Sequence, residues 1–238
     1  MTRTSQRSLR ERPAGRRLSR QFIVDAAITY VDQHGNRAFT MRDIGNVLGV
    51  EAMALYRYVN GREDLLEAVV SSVLEGATDH LDDALTSTWQ GYLQTLANAI
   101  RQIALDHPGV FPLVAMRHPE APWLRPPLRS FRLVRNFLGT LSGFGFSDEQ
   151  VVATYRAFSS FLLGILLLEA AQLRAKTTSV DEPVVKGDRQ MLERAAGVDV
   201  DDDEIIRRFR PLLSEDRSTE EFETALETLL DRLEMSVK

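Results

Sequence analysis

The chain has 238 residues, 44% of them hydrophobic, which is enough apolar material for a sizeable core in one large or two small domains. It has no cysteine, which excludes disulfides, thiolate nucleophiles and Cys-ligated zinc or iron–sulfur centres. The net charge of −5 is unevenly divided: residues 1–66 hold eleven arginines against seven acidic residues, a net of +4, leaving −9 on residues 67–238.

A basic module on an acidic body suits a protein that turns one face to a polyanion, although such asymmetry also occurs without nucleic acid. Residues 1–17 are arginine-rich and broken by Pro13 and Gly15, with no apolar run after the charges, so they do not read as a secretory signal. They read as a flexible basic arm, either for the DNA backbone and minor groove or as a solubilising tail. Ser19 caps a first helix whose stripe is Phe22, Ile23, Ala26, Ala27, Tyr30 and Val31; it ends at His34-Gly35, where His34 is a cap or surface residue. Thr40 with Asp43 opens a second helix carrying Met41, Ile44, Val47 and Leu48, and Gly49 supplies the positive φ that ends it. Glu51 to Tyr58 reads as a third, with Val50, Leu55 and Val59 inward and Ala52, Met53, Tyr56, Arg57 and Tyr58 outward. Two short helices joined by a glycine turn make a helix-turn-helix, whose second helix can enter a major groove.

The run LGVEAMALYRYVNGREDLLEAV resembles the signature of the TetR family of bacterial transcriptional regulators: Leu48-Gly49-Val50, Leu55-Tyr56, Tyr58-Val59, a charged turn and the Leu65-Leu66 pair stand at the family spacing. The resemblance is close over Leu18 to Leu74 and is one of helical pattern beyond. It implies an all-α protein with an N-terminal three-helix helix-turn-helix DNA-binding domain (18–66) and a C-terminal helical ligand-binding and dimerisation domain (67–238). Arg42 stands where the family often points a side chain at the groove, and arginine can grip guanine with two hydrogen bonds. Ala52 and Met53 suit thymine methyls, Tyr56 and Arg57 base edges, and Thr40, Tyr58 and Arg62 phosphates; the bland alternative for the two tyrosines is packing inside the head. Glu51 departs from the family, where Ser or Thr is commoner, and makes a weaker cap.

Asn60-Gly61 is a turn, after which Arg62 starts a long helix with Leu65, Leu66, Val69, Val70, Val73 and Leu74 inward. In the family the corresponding helix joins the reading head to the body. Ser87 to Gln90 has the capping-box pattern and opens a helix through Ala104, ended by Pro108. Val110 to Arg117 reads as a short helix, residues 118–127 as irregular, and Leu128 to Leu141 as helix again. Ser147 to Gln150 caps a helix to about Leu173 that is apolar on every side; its longest charge-free stretch, Ala157 to Leu168, falls short of a bilayer. The last helix starts at Ser218 with the stripe Phe222, Ala225, Leu226, Leu229, Leu230 and Leu233. The resemblance implies that these two helices meet their copies in a four-helix bundle of a homodimer. Arg174 to Asp203 reads as a mobile connection with one short helix. Its Asp199 and Asp201 to Asp203 cluster lacks the glycine and terminal glutamate of a calcium loop, so it reads as a solvated acidic loop rather than a cation site.

Trp89, Phe111, Met116, Trp123, Phe137, Tyr155 and Phe158 are candidates to line an apolar effector cavity, with His107 and His118 flanking it; each is also ordinary core or surface material. No HExxH, GxSxG, Walker or dinucleotide motif appears, and no cofactor or metal site is expected. The leading expectation is therefore a cytoplasmic, homodimeric repressor without a membrane segment, reading a palindromic duplex operator and released by a partly apolar small molecule. An all-α enzyme using the two histidines, or a helical interaction protein without DNA binding, are the alternatives.

Overall fold

Helix starts follow the capping chemistry of the sequence. In the computed structural model, which describes residues 17–35, 39–79, 87–178 and 203–237, the Ser19 side chain accepts from the Phe22 N–H and opens α1 (Arg20–His34). Thr40 accepts from the Asp43 N–H while the Asp43 carboxylate accepts from the Thr40 N–H, a reciprocal cap that opens α2 (Met41–Leu48). Gly49, at φ 64°, turns the chain into α3 (Ala52–Leu55). Ile23, Val24, Ala27, Val31, Ile44, Leu48 and Leu55 close the small core of these three helices. Val47 does not join it and is 47% exposed, because the eight residues of α2 bury one stripe, Met41, Ile44, Gly45 and Leu48, and Val47 lies to the side of it.

The third helix is shorter than the expected span to Tyr58. Residues 56–58 form a turn in which both the Tyr58 and the Val59 N–H donate to the Leu55 carbonyl. The Tyr58 carbonyl accepts instead from Arg20 of α1 at 2.9 Å.

The body begins with α4 (Arg62–Asp79), which packs on α1 at one side and on α5 (Trp89–Asp106) and α6 (Phe111–Val114) at the other. Thr88, rather than Ser87, caps α5 by accepting from the Gly91 N–H. After an irregular stretch come α7 (Phe131–Gly143) and α8 (Asp148–Thr178), the latter opened by the Ser147/Gln150 box. Residues 204–213 form α9 (Glu204–Leu213), capped by Asp203 and absent from the periodicity reading, and α10 (Ser218–Val237) closes the chain. The other aspartates of the acidic cluster and the basic arm up to Arg16 lie outside the described residues. No strand occurs among the described residues.

Helix α8 packs against α5, α6, α7 and α10. By length and composition it can cross a bilayer, with a mean hydropathy of 1.8, contrary to the reading from its shorter charge-free stretch; a core helix of a soluble protein passes the same test. Nor is it buried all round within one chain, since Leu168 is 68% exposed and Val152 is exposed too. Arg101 of α5 ties it to the last helix: its guanidinium donates to Glu169 at 2.7 Å and to Thr219 at 3.1 Å, and lies 4.9 Å from the centre of the Phe222 ring.

Candidate nucleic-acid interface and effector cavity

The reading head presents one unsatisfied face. Arg42, Met53, Tyr56, Arg57 and Tyr58 are exposed and Ala52 half-buried, with Met53 76% exposed, an orientation that burial in this chain does not explain. Arg42 and Arg57 make no hydrogen bond or ion pair with the described residues. Glu51 precedes α3 without capping it. Thr40 is occupied by its own cap, and Arg62 donates to the Phe39 carbonyl at 3.0 Å and to Glu63 at 3.1 Å, so each has spent part of its hydrogen-bonding capacity within the head.

Two features hold this face that residue type alone does not reveal. Gly45 is buried in α2, and a Cβ there would stand 2.8 Å from the Val50 carbonyl oxygen and 3.2 Å from the Ala52 nitrogen; only glycine lets the turn lie so close. Arg20 reaches Asp64 through two hydrogen bonds at 2.7 and 3.1 Å besides its bond to Tyr58, pinning the end of the turn between α1 and α4. The Arg20 bonds, with the Asn60 N–H at 2.7 Å, hold the Asp64 carboxyl below its ordinary range. A depressed carboxyl contributes stability above its unfolded pKa and loses it as pH falls through the folded value. Thermal melts should therefore show the chain losing stability below about pH 4, and Arg20→Met should flatten that loss; identical acid profiles for both proteins would remove the pair from the pH response.

The body holds a small apolar cavity of about 20 Å³, room for roughly one water-sized molecule, lined by eleven side chains of α5 to α8 and the segment before α7, among them Leu96, Val114, Leu128, Phe137, Phe158 and Leu162. Of the nine residues expected at an effector site, Phe137, Tyr155 and Phe158 line it. The others do not. Phe111 is fully buried away from the cavity lining, Trp89 packs edge-on against Phe146, and Met116 and Trp123 are exposed on the irregular stretch.

The two histidines are likewise corrected from flanking the cavity to bracing α1 and α4. The His107 Nδ1 lies 2.8 Å from Asp32 of α1, whose other carboxylate oxygen accepts from the Gly109 and Val110 N–H groups. A Cβ on Gly109 would stand 2.4 Å from the Asp32 Cα, so this corner fits tightly against α1. His118 accepts at Nδ1 from the Glu120 N–H, which leaves Nε2 as the protonated nitrogen, 3.5 Å from Glu67 of α4. Beside it Arg129, 3% exposed, donates to Glu63 at 2.8 Å and to Glu67 at 3.3 Å, and its charge holds the Glu63 carboxyl below its usual range.

A helix-turn-helix head with an outward cationic and apolar face, joined by one long helix to a helical body with a cavity, defines a ligand-responsive DNA-binding regulator. The family model for bacterial regulatory proteins of the tetR family matches residues 23–69, and that for the tetracyclin repressor-like C-terminal domain matches residues 83–237. The chain belongs to the TetR family of bacterial transcriptional regulators.

The tetracycline repressor protein class D of Escherichia coli is 24% identical over 93% of this chain and 91% of its own length. An uncharacterised HTH-type transcriptional regulator of Mycobacterium tuberculosis is 30% identical over 79% of this chain and 84% of its own. Among solved structures, a possible TetR family transcriptional regulator from Streptomyces coelicolor A3(2) superposes with a TM-score of 0.68 at 27% identity, covering 92% of this chain and all of that one. ActR of Streptomyces coelicolor, solved with (S)-DNPA, shares the fold at a TM-score of 0.62 and 20% identity, over 94% of this chain and 100% of its own.

Proposed function

We propose that the protein is a cytoplasmic, homodimeric repressor that grips a near-palindromic operator through two copies of the 18–66 head and lets go when a small molecule occupies the body. The observation that carries this is the outward, unpaired Arg42 and Arg57 beside exposed Met53 on a helix-turn-helix whose own core is already closed. Arg42 and Arg57 suit base edges, Ala52, Met53 and Tyr56 the groove floor, and Thr40, Tyr58 and Arg62 the phosphates. Residues 1–17 add a basic arm, and 67–238 form the effector-binding and dimerisation body. Exposed Val152 and Leu168 on α8 and Met235 on α10 supply apolar surface for a second copy, which would set the heads about 34 to 36 Å apart, one helical turn of DNA. No enzymatic role is assigned: the histidines that carry that alternative are engaged with Asp32 and Glu67.

The test is selection of a binding site from random duplexes, followed by affinity for the winner across a salt series. An inverted repeat with a steep salt slope is expected. Arg57→Ala should lower affinity for the selected site by ~1–3 kcal/mol while hardly touching non-specific binding. Arg62→Ala should weaken both duplexes and reduce the salt slope by about 1. Equal losses for Arg57→Ala on both duplexes would remove it from the base-reading set.

A further inference from the structure

The C-terminal turn of α1 is held by the body at two points besides its packing on α4. On one side Asp32 takes the hydrogen bonds of the α5–α6 corner, and Gly109 of that corner lies against its backbone. On the other side stands Gly35, the residue that ends α1, buried and at φ 76°. The space that its missing side chain leaves open is filled from α8. A Cβ on Gly35 would stand 2.6 Å from Nη2 of Arg174 and 3.2 Å from both its Cζ and its Nη1. Three atoms of one guanidinium so close to a single point mean that the group rests on the Gly35 backbone itself, an approach that only glycine permits. Its charge there also meets the negative end of the α1 dipole.

Helix α8 is the one that exposes Val152 and Leu168, apolar surface that suits a second copy. Arg174 therefore runs from the helix that meets the partner to the helix that opens the head. A head joined to the body through α4 alone can turn about that helix, and two heads so joined would reach half-sites at a range of separations. A second contact, made by α8 on α1, removes that freedom. Resting on the reading of the chain as a dimeric operator binder, we propose that Arg174 is a positioning residue for operator recognition: seated on Gly35, it fixes the tilt of each head against the dimer-forming helix and so sets the half-site separation that the protein accepts. The role needs no contact between Arg174 and DNA.

The test uses the full-length protein and duplexes in which the selected half-sites are kept and the spacer between them is lengthened or shortened one base pair at a time. The unaltered protein should show a sharp optimum. In Arg174→Ala the penalty for one base pair added or removed should shrink about fivefold or more, the lower end of coupling between linked sites. Affinity for a duplex with a single half-site, helical content and sedimentation as a dimer should stay unchanged. A merely structural loss would instead lower all affinities in proportion and leave the shape of the profile as it was. Gly35→Ala attacks the same contact from the head, because the new Cβ displaces the guanidinium, whose flexible stem gives way more readily than backbone. It should flatten the profile as Arg174→Ala does, and adding Arg174→Ala to it should flatten it no further. The strain of alanine at φ 76° is common to the single and double variants and drops out of that comparison. A profile of Arg174→Ala as sharp as that of the unaltered protein overturns the proposal. So does flattening that comes with an equal loss on the single half-site, or fully additive effects in the double variant. If the unaltered protein selects no inverted repeat at all, the dimeric reading falls and this proposal falls with it.

Discussion

Gly45→Val should abolish operator recognition without dissolving the dimer. The Cβ alone would stand 2.8 Å from the Val50 carbonyl oxygen and 3.2 Å from the Ala52 nitrogen, and valine adds two further carbons. The atoms it meets are backbone atoms of the turn, which cannot rotate aside, so α3 must be displaced from α2. That displacement also strains the hydrogen bond from the Val50 N–H to the Gly45 carbonyl, 2.9 Å long. Overpacking of this kind costs ~1–3 kcal/mol of stability, which the fold as a whole can absorb. Recognition cannot, because Met53, Tyr56 and Arg57 are all positioned through α3, and specific sites lead non-specific ones by roughly 4–10 kcal/mol. Affinity for the selected operator should collapse towards that for scrambled duplex, with helical content and sedimentation as a dimer retained. Specific affinity within about threefold of the unaltered protein, a change of under ~1 kcal/mol, would show that the turn does not fix the reading helix.

The parts of the fold legible in the sequence are those that short-range chemistry decides. The Thr40/Asp43 and Ser147/Gln150 boxes, Ser19 and the left-handed Gly49 each act within a few residues, and each stands where the sequence places it. What escaped depends on contacts between distant segments. Arg20 looks like an ordinary surface residue in the first turn of α1 until the fold sets it against Asp64, 44 residues further on. Gly45 looks like a weak point in a helix until the turn backbone is seen against it.

The cavity was read by residue type, and type does not say which way a side chain faces on an irregular stretch. Met116 and Trp123 are exposed there, while unassuming Leu96, Leu128 and Ser159 line the space. Histidines draw attention as candidate ligands, but both find carboxylates on neighbouring helices, a pairing that needs α1 and α4 in position before it exists.

Arg129→Met should give a protein that still binds operator and still binds its effector but no longer exchanges one for the other. Arg129 stands between the cavity and the head. Its neighbour Leu128 lines the cavity, and its own N–H donates to the carbonyl of Val114, another lining residue, at 2.9 Å. Its guanidinium holds Glu63 and Glu67 on α4; Glu63 also accepts from Arg62, and Arg62 holds the Phe39 carbonyl just before the cap of α2. A molecule that moves Leu128 moves the guanidinium, and with it the end of α4 that positions the head.

Methionine keeps much of the apolar stem and removes the charge. Glu63 is largely exposed and keeps its bond from Arg62, so losing Arg129 costs it little, and the fold should survive. Coupling between two sites is typically ~1–3 kcal/mol, or about 5–150-fold in affinity, and is reciprocal. In the unaltered protein operator DNA should therefore weaken effector binding by the same factor by which the effector weakens operator binding. In the Arg129→Met protein both factors should fall towards one, while each affinity measured alone stays within a few-fold. Two undiminished factors in a folded Arg129→Met dimer would place the coupling elsewhere, with the Asp32–His107 corner then the remaining polar link between the α5–α6 corner and α1.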